Sequence, residues 1–326
     1  MKKKRSRYLN DEELGLIGEK THNYVETWKE AMEAFLKDGE LRGLREASLF
    51  YYEKETRMIF RYMNEQDLGN VPPYEFTKDM LEDNVILYMK NEKKLSPATI
   101  NIRLRAFRTV LKWLYEKKMI PTYPMKNVKL LKDRQKEIAT FTKDQLNRFF
   151  KEIDKTTWTG VRNYAICLVL LECGLRQNEI LNIELTDVIW EENSILVKHA
   201  KTYRMRKVPI TDGTKNAIKR WISVRGEAST KQLFCNISGE LFKQRGLHQM
   251  IARYGRAAKI ENVRVSPHTF RHTCAKFYLK NGGDLFSLQN ILGHTDIAMT
   301  RRYVQFMYED VAALHKQYSP IKSLKL

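Results

Sequence analysis

The sequence predicts a mainly α-helical chain with a small β-sheet, helical throughout its N-terminal part and mixed α+β in its C-terminal part. Three observations predict it. Apolar residues recur at helical spacing from about Thr21 to Lys118. Two short runs, Ser194 to Lys198 and Arg206 to Ile210, read as strands joined by a turn around Lys201-Thr202-Tyr203. Helical periodicity then resumes in Gly213–Val224, Leu247–Ala258 and Pro267–Lys280. A chain of 326 residues is long enough for two domains with separate cores.

Taken in order, residues 1–20 form a basic arm that opens Met1-Lys2-Lys3-Lys4-Arg5 with no hydrophobic stretch behind it, so it reads as phosphate-seeking and not as a signal or anchor. Residues 21–118 make the helical domain. Tyr24, Trp28, Met32 and Phe35 mark its first helix, Phe50 to Met63 its second and Met80 to Met89 its third, with Gly69 and Pro72-Pro73 in the loop between the last two. The fourth helix has Ser96 as N-cap and Pro97 at the first position, where a missing N–H costs nothing. Ile100, Leu104, Phe107, Leu111 and Leu114 line one of its faces. Asn101, Arg105, Arg108 and Lys112 line another, basic and uninterrupted by acid, and are expected at DNA phosphates. Residues 119–138, containing Lys126 and Lys129, are expected to be a basic linker running along DNA. Residues 139–326 form the mixed domain, whose first helix opens with a capping box from Thr142 to Gln145.

Charge narrows the function. There are 58 Lys and Arg against 39 Asp and Glu, a formal +19, which on a soluble chain points to a polyanion. The excess is concentrated: Ile86 to Lys136 holds 14 basic and 3 acidic residues, a net +11. A patch of that kind suits nucleic acid. No apolar run reaches membrane-spanning length, so no membrane partner is expected. Cys167, Cys173, Cys235 and Cys274 follow no Cys-x-x-Cys spacing and read as free thiols in a reducing cytoplasm.

The chemistry lies in the second domain. His268 and Arg271, three apart on a helix opened by Pro267, project from one face. His268 and His272 also stand at metal-ligand spacing, but a zinc-peptidase motif needs Glu where this chain has Thr269, so no metal is expected and His272 reads as a hydrogen-bonded structural histidine. Gly174 ends a helix and leaves Arg176 before the next, where an ion pair to Glu172 or Glu179 is the ordinary role for an arginine.

Taken together, Cys173-Gly174-Leu175-Arg176-Gln177-Asn178-Glu179-Ile180 and Ser266-Pro267-His268-Thr269-Phe270-Arg271-His272-Thr273, followed by Leu292-Gly293-His294 and Thr300-Arg301-Arg302-Tyr303, resemble the two signature boxes of the tyrosine recombinases, the phage integrase family of site-specific DNA recombinases. Leu95-Ser96-Pro97-Ala98-Thr99-Ile100 is similar to the family's helical core-binding domain. The resemblance implies a C-shaped clamp of core-binding and catalytic domains on duplex DNA. Tyr303 would be the nucleophile, with Arg176 and Arg271 clamping the phosphate, His268 transferring a proton and His294 donating to a phosphate oxygen. Arg301, Arg302 and the two clamps would favour the Tyr303 phenolate, and Tyr308 is the nearby competitor. Lys201 would be the general acid, with Lys198 and Arg204 as alternatives because the turn departs from the family's commoner Gly-Lys-Gly.

The family implies no cofactor. It implies as partners double-stranded DNA with a specific recombination or operator site, copies of the chain (a dimer per site, a tetramer in the synapse) and a candidate directionality factor. It also implies a cytoplasmic, nucleoid-associated location and a phage or mobile-element setting. Glu309 to Tyr318 is expected to dock either on a neighbouring copy or on its own domain. Two other functions fit the same residues: a recombinase-fold repressor or architectural DNA binder without activity, and a type IB topoisomerase.

Overall fold

The computed structural model describes residues 24–133, 138–198 and 205–304, together with 315, 319 and 321. The basic arm, Lys201 and Arg204 with their turn, Tyr308, and residues 309–318 apart from His315 lie outside the described residues. Packing divides the chain into two compact units, Met1–Gln135 and Lys136–Leu326.

The first unit is helical, as the periodicity predicts. Helix α1 (Trp28–Leu41) starts in a capping box between Thr27 and Glu30, and α2 (Glu46–Asn64) follows. The third helical stretch opens with a wider, π-helical run, Met80–Ile86, before α3 (Leu87–Asn91); Leu81, Val85 and Met89 are buried along it. In α4 (Pro97–Glu116) Ser96 caps the helix through the Thr99 amide, and Ile100, Leu104, Phe107, Leu111 and Leu114 are fully buried. Trp28 anchors this core, in ring contact with Phe60, Phe76 and Phe107 at 5.2 to 5.6 Å.

The basic row on α4 divides. Arg105 and Lys112 are exposed. Asn101 is not on the exposed row, contrary to expectation: it is 4% exposed, and its amide both donates to the Leu131 carbonyl and accepts from the Leu131 N–H, each at 2.9 Å. Arg108 likewise donates to the Val128 carbonyl at 2.7 Å. The stretch expected to be a plain linker therefore folds back along α4, burying Ile120, Met125 and Val128 and leaving Lys126 and Lys129 exposed. Those three apolar residues have no regular period, so the sequence pattern does not reveal them. Asn101→Ala, which strands two backbone groups, is expected to lower unfolding stability by about 1–3 kcal/mol. Denaturant titration checks this; unchanged stability with weaker DNA binding would return Asn101 to the phosphate row.

The second unit starts with α5 (Lys143–Lys151), capped by the predicted Thr142–Gln145 box. Helix α6 (Trp158–Cys173) runs through its core between α8 (Asp212–Arg225) and α10 (Pro267–Lys280). Short α7 (Gln177–Leu181) leads to an antiparallel sheet of β1 (Val188–Ile189), β2 (Ser194–Lys198) and β3 (Met205–Pro209), in which Lys198 pairs with Met205 at the end of the hairpin next to the connecting turn. Helix α9 (Gln244–Ala257) precedes α10, then α11 (Leu285–Leu292) and α12 (Ile297–Arg301) complete the described fold. All four cysteines are free and buried. Among the described residues no helix is long and apolar enough to cross a membrane.

Candidate active site

Two left-handed glycines set the frame. Gly174, at φ +58°, ends α6, and Gly293, at φ +64°, ends α11. A Cβ on Gly174 would lie 2.7 Å from Leu292 Cδ2, and one on Gly293 would lie 2.7 Å from Arg206 Nη1, so each position needs glycine for both conformation and space. The last carbonyls of α11, which have no partner within the helix, converge on three guanidinium groups. Arg206 Nε donates to Ile291 at 2.8 Å, Arg271 Nη2 to Leu292 at 2.9 Å, and Arg176 Nη2 to Gly293 at 3.3 Å. Arg176 Nη1 also reaches the Leu292 carbonyl at 3.5 Å, so the two expected phosphate clamps share one acceptor. Cations suit this negative end of the helix dipole.

Glu179 is the buried carboxylate among these arginines. It accepts from Arg206 at 3.1 and 2.9 Å, from Arg176 Nη1 at 2.9 Å and from the Arg176 N–H at 2.9 Å. Burial pushes its pKa up, but hydrogen bonding and charge from Arg206 and Arg176 outweigh that and hold it at about 2. Three guanidinium groups thus face one carboxylate, and the surplus positive charge is what a phosphodiester would meet. Arg271 is 4% exposed and also donates to the Gly174 carbonyl at 2.7 Å. Burial, then the charge of Arg176, lowers its pKa to about 10, still protonated near neutrality.

His294 Nε2 lies 2.8 Å from Arg271 Nη2, and its Nδ1 lies 2.8 Å from Thr300 Oγ1. A guanidinium can only donate, so Nε2 accepts and Nδ1 carries the proton. The imidazole ring lies parallel to the Tyr303 ring, 4° between planes and 6.4 Å between centroids. Tyr303 is 3% exposed, packed with Ala275, Leu279, Leu288 and Leu292, and its hydroxyl lies 2.7 Å from His272 Nδ1. Arg176, Arg271, His294 and Tyr303 are therefore brought together. His268, in the first turn of α10, is exposed; burial of its ring and the charges of Arg271, His248, Arg264 and Arg176 lower its pKa.

Two expectations change. Burial raises the Tyr303 pKa, and Arg271, Arg302 and Arg176 offset that only in part, so the phenol is the favoured form here and not the phenolate. Lys198, weighed as an alternative acid, binds Asp187 at 2.7 Å and Glu184 at 3.4 Å, and hydrogen bonding to Asp187 raises its pKa, which makes it a poorer acid. Sequence reasoning also missed Arg206 and Thr300 and set His272 aside. A bidentate contact between β3 and α7 leaves no local signal, whereas the position of His272 beside Arg271 on a site helix was a usable one.

Among the described residues no group of three or more His, Cys, Asp or Glu side chains is placed to hold a metal ion.

Burial, then nearby cations, lowers the pKa of both His272 and His294 from 6.5 to about 4. Between those values the unfolded chain binds more protons than the folded one, so stability should fall as pH drops from about 6.5 to about 4. Chemical denaturation midpoints across that range test this, and His294→Gln should flatten the fall. A flat wild-type profile would contradict it.

Residues 139–309 match the model of the phage integrase family. The chain is 26% identical over 293 residues to the tyrosine recombinase XerC of Neisseria meningitidis serogroup C, covering 88% of this chain and 94% of that protein. It is 26% identical over 285 residues to the tyrosine recombinase XerD of Oceanobacillus iheyensis, with 86% and 94% covered. Among solved structures, the Tn1549 transposon integrase in complex with a circular intermediate DNA superposes with a TM-score of 0.71 at 23% identity, over 84% of this chain and 94% of that one. A lambda integrase dimer bound to a core site gives 0.68 at 16% identity, over 84% and 97%. At those identities the structural likeness speaks for the fold. The family match, carried on a largely helical fold with one small antiparallel sheet among the described residues, defines a tyrosine-type DNA strand transferase. The chain belongs to the phage integrase family, the tyrosine recombinases.

Proposed function

We propose that the protein is a site-specific DNA recombinase of the integrase or excisionase type, cleaving and rejoining DNA through a 3′-phosphotyrosyl intermediate. The observation that carries this reading is the shared Leu292 carbonyl of Arg176 and Arg271, with His294 bonded to Arg271 and stacked on Tyr303. Tyr303 attacks the scissile phosphorus, and the arginine pair holds the non-bridging oxygens as charge builds on them. His294, expected as a phosphate donor, has its two nitrogens held by Arg271 and Thr300 and so steadies the ring of the nucleophile, and His268 moves a proton at the rim. Lys201 protonates the 5′ oxygen as it leaves. The 5′ hydroxyl of a partner strand then reverses the reaction, so the bond energy is kept and no cofactor enters. Relatives named XerC and XerD, and neighbours solved on circular intermediate DNA and on a core site, support DNA as the substrate.

In this reading residues 1–20 are the basic arm, 21–118 the core-binding domain, 119–138 a connection and 139–326 the catalytic domain. Two copies occupy each site and four form the synapse, with the terminal segment coupling neighbours and a directionality factor choosing the outcome. Work on DNA places the protein with the nucleoid in the cytoplasm, and a phage or mobile element is the natural setting. Arg105, Arg108, Lys112, Lys126 and Lys129 serve the backbone. Arg105→Ala and Lys112→Ala should each reduce the slope of log affinity against log salt by about 1, uniformly across sequences. An unchanged slope would remove that residue from the interface.

The test of the function is direct. Select the preferred site from a random-sequence pool by binding, nick it and incubate it with the protein. A covalent complex that survives denaturant is expected. Tight binding to the selected site without any such complex would instead favour the repressor or architectural reading.

A further inference from the structure

We propose that His272 is the base for the nucleophile: its Nδ1 takes the proton of the Tyr303 hydroxyl as the phenol attacks phosphorus and returns it on rejoining. This rests on the reading of Tyr303 as the nucleophile. Among the described residues, His272 is the imidazole whose nitrogen meets the phenolic oxygen, at 2.7 Å. The other two histidines are placed for different work. His294 already has both nitrogens engaged, one by Arg271 and one by Thr300, and presents its ring face to Tyr303. His268, four residues ahead of His272 on α10, is exposed.

The surroundings suit the role. His272 follows Arg271 directly on α10, so the helix that fixes the phosphate clamp also fixes the base. The imidazole centroid sits 5.7 Å from that of the phenol, the planes tilted by 52°, which brings a ring edge to the hydroxyl. Burial, then His268, Arg302 and Arg271, disfavours a proton on His272 in the free protein, so the ring waits neutral and able to accept. A phosphodiester held by Arg271 offsets part of that positive field. The base therefore strengthens when the substrate arrives.

The step balances. The bond from Tyr303 oxygen to phosphorus forms, the bond from phosphorus to the 5′ oxygen breaks, and the phenolic proton moves to Nδ1 to leave imidazolium. The departing oxygen takes its proton from the general acid, the part proposed for Lys201. Rejoining runs the same transfers backwards.

The test combines kinetics with a readout that needs no turnover. On the nicked, binding-selected site, His272→Ala should form the covalent complex about 10²-fold or more slowly than wild type, with DNA affinity unchanged. Imidazole added to the buffer should restore part of the rate, more so as pH rises and its free base accumulates. His272→Asn, which retains an acceptor for the hydroxyl but cannot hold the proton, should fold and bind DNA yet stay slow. In DNA-free protein, ¹⁵N spectra of the histidine rings should show His272 protonated at Nε2 and bare at Nδ1, with the Nδ1 shift moving in Tyr303→Phe. Wild-type rates in either variant, a defect that imidazole fails to restore at any pH, or a protonated Nδ1 in the spectra would each overturn the proposal. If wild type itself forms no covalent complex, the recombinase reading falls, while the ring spectra still decide whether Nδ1 accepts from the phenol.

Discussion

Tyr303→Phe should abolish the covalent protein–DNA complex outright while leaving affinity for the selected site unchanged. The substitution removes one oxygen and keeps the ring that packs on Ala275, Leu279, Leu288 and Leu292 and stacks on His294. What the folded protein loses is the hydroxyl's contact with His272, a cost of about 1 kcal/mol and too little to unfold a domain. Binding depends on phosphate contacts spread over the basic surface, and the phenol contributes no charge to them. Any residual complex in this variant would mean that another residue attacks.

Arg271→Ala should slow complex formation by about 10²-fold or more, as removing a preorganised charge stabiliser does. The residue's position argues for a large effect. Arg271 donates to the Gly174 and Leu292 carbonyls and to His294, so its loss takes a clamp from the phosphate and also releases the imidazole stacked on the nucleophile. Arg271→Lys keeps a charge but not the planar fork, and should recover little. Arg176→Ala should be of similar size in rate but gentler in stability, because Arg176 is 31% exposed and Glu179 keeps Arg206. Single-turnover cleavage at saturating protein separates these effects from binding. An unchanged rate would remove that arginine from the chemistry.

Where function rests on local grammar, the sequence was readable. Ser96 and Pro97 start α4, Thr142 and Gln145 start α5, and Pro267 to Lys280 is the observed extent of α10. Gly174 ends its helix as expected because its backbone conformation is a property of a single residue. Features made by distant pairs were not readable. Asn101 belongs to a polar row in sequence, but Leu131, thirty residues on, turns it inward. Arg206 meets Glu179 only through the register of the hairpin. The Tyr303 phenol follows its burial rather than its neighbouring charges, and burial depends on how α12 settles against α10 and α11. His272 was read as a hydrogen-bonded histidine, which it is; its partner was the missing fact.

In the proposed reaction the phenol of Tyr303 reaches the phosphate gripped by Arg176 and Arg271. Mapping the covalent bond tests it most directly. Trap the complex on the nicked site, digest protein and DNA, and sequence the modified peptide by mass spectrometry. A nucleotide phosphate on the side chain of Tyr303 is the expected result. The same mass carried by Tyr308, or by any other residue, would contradict it.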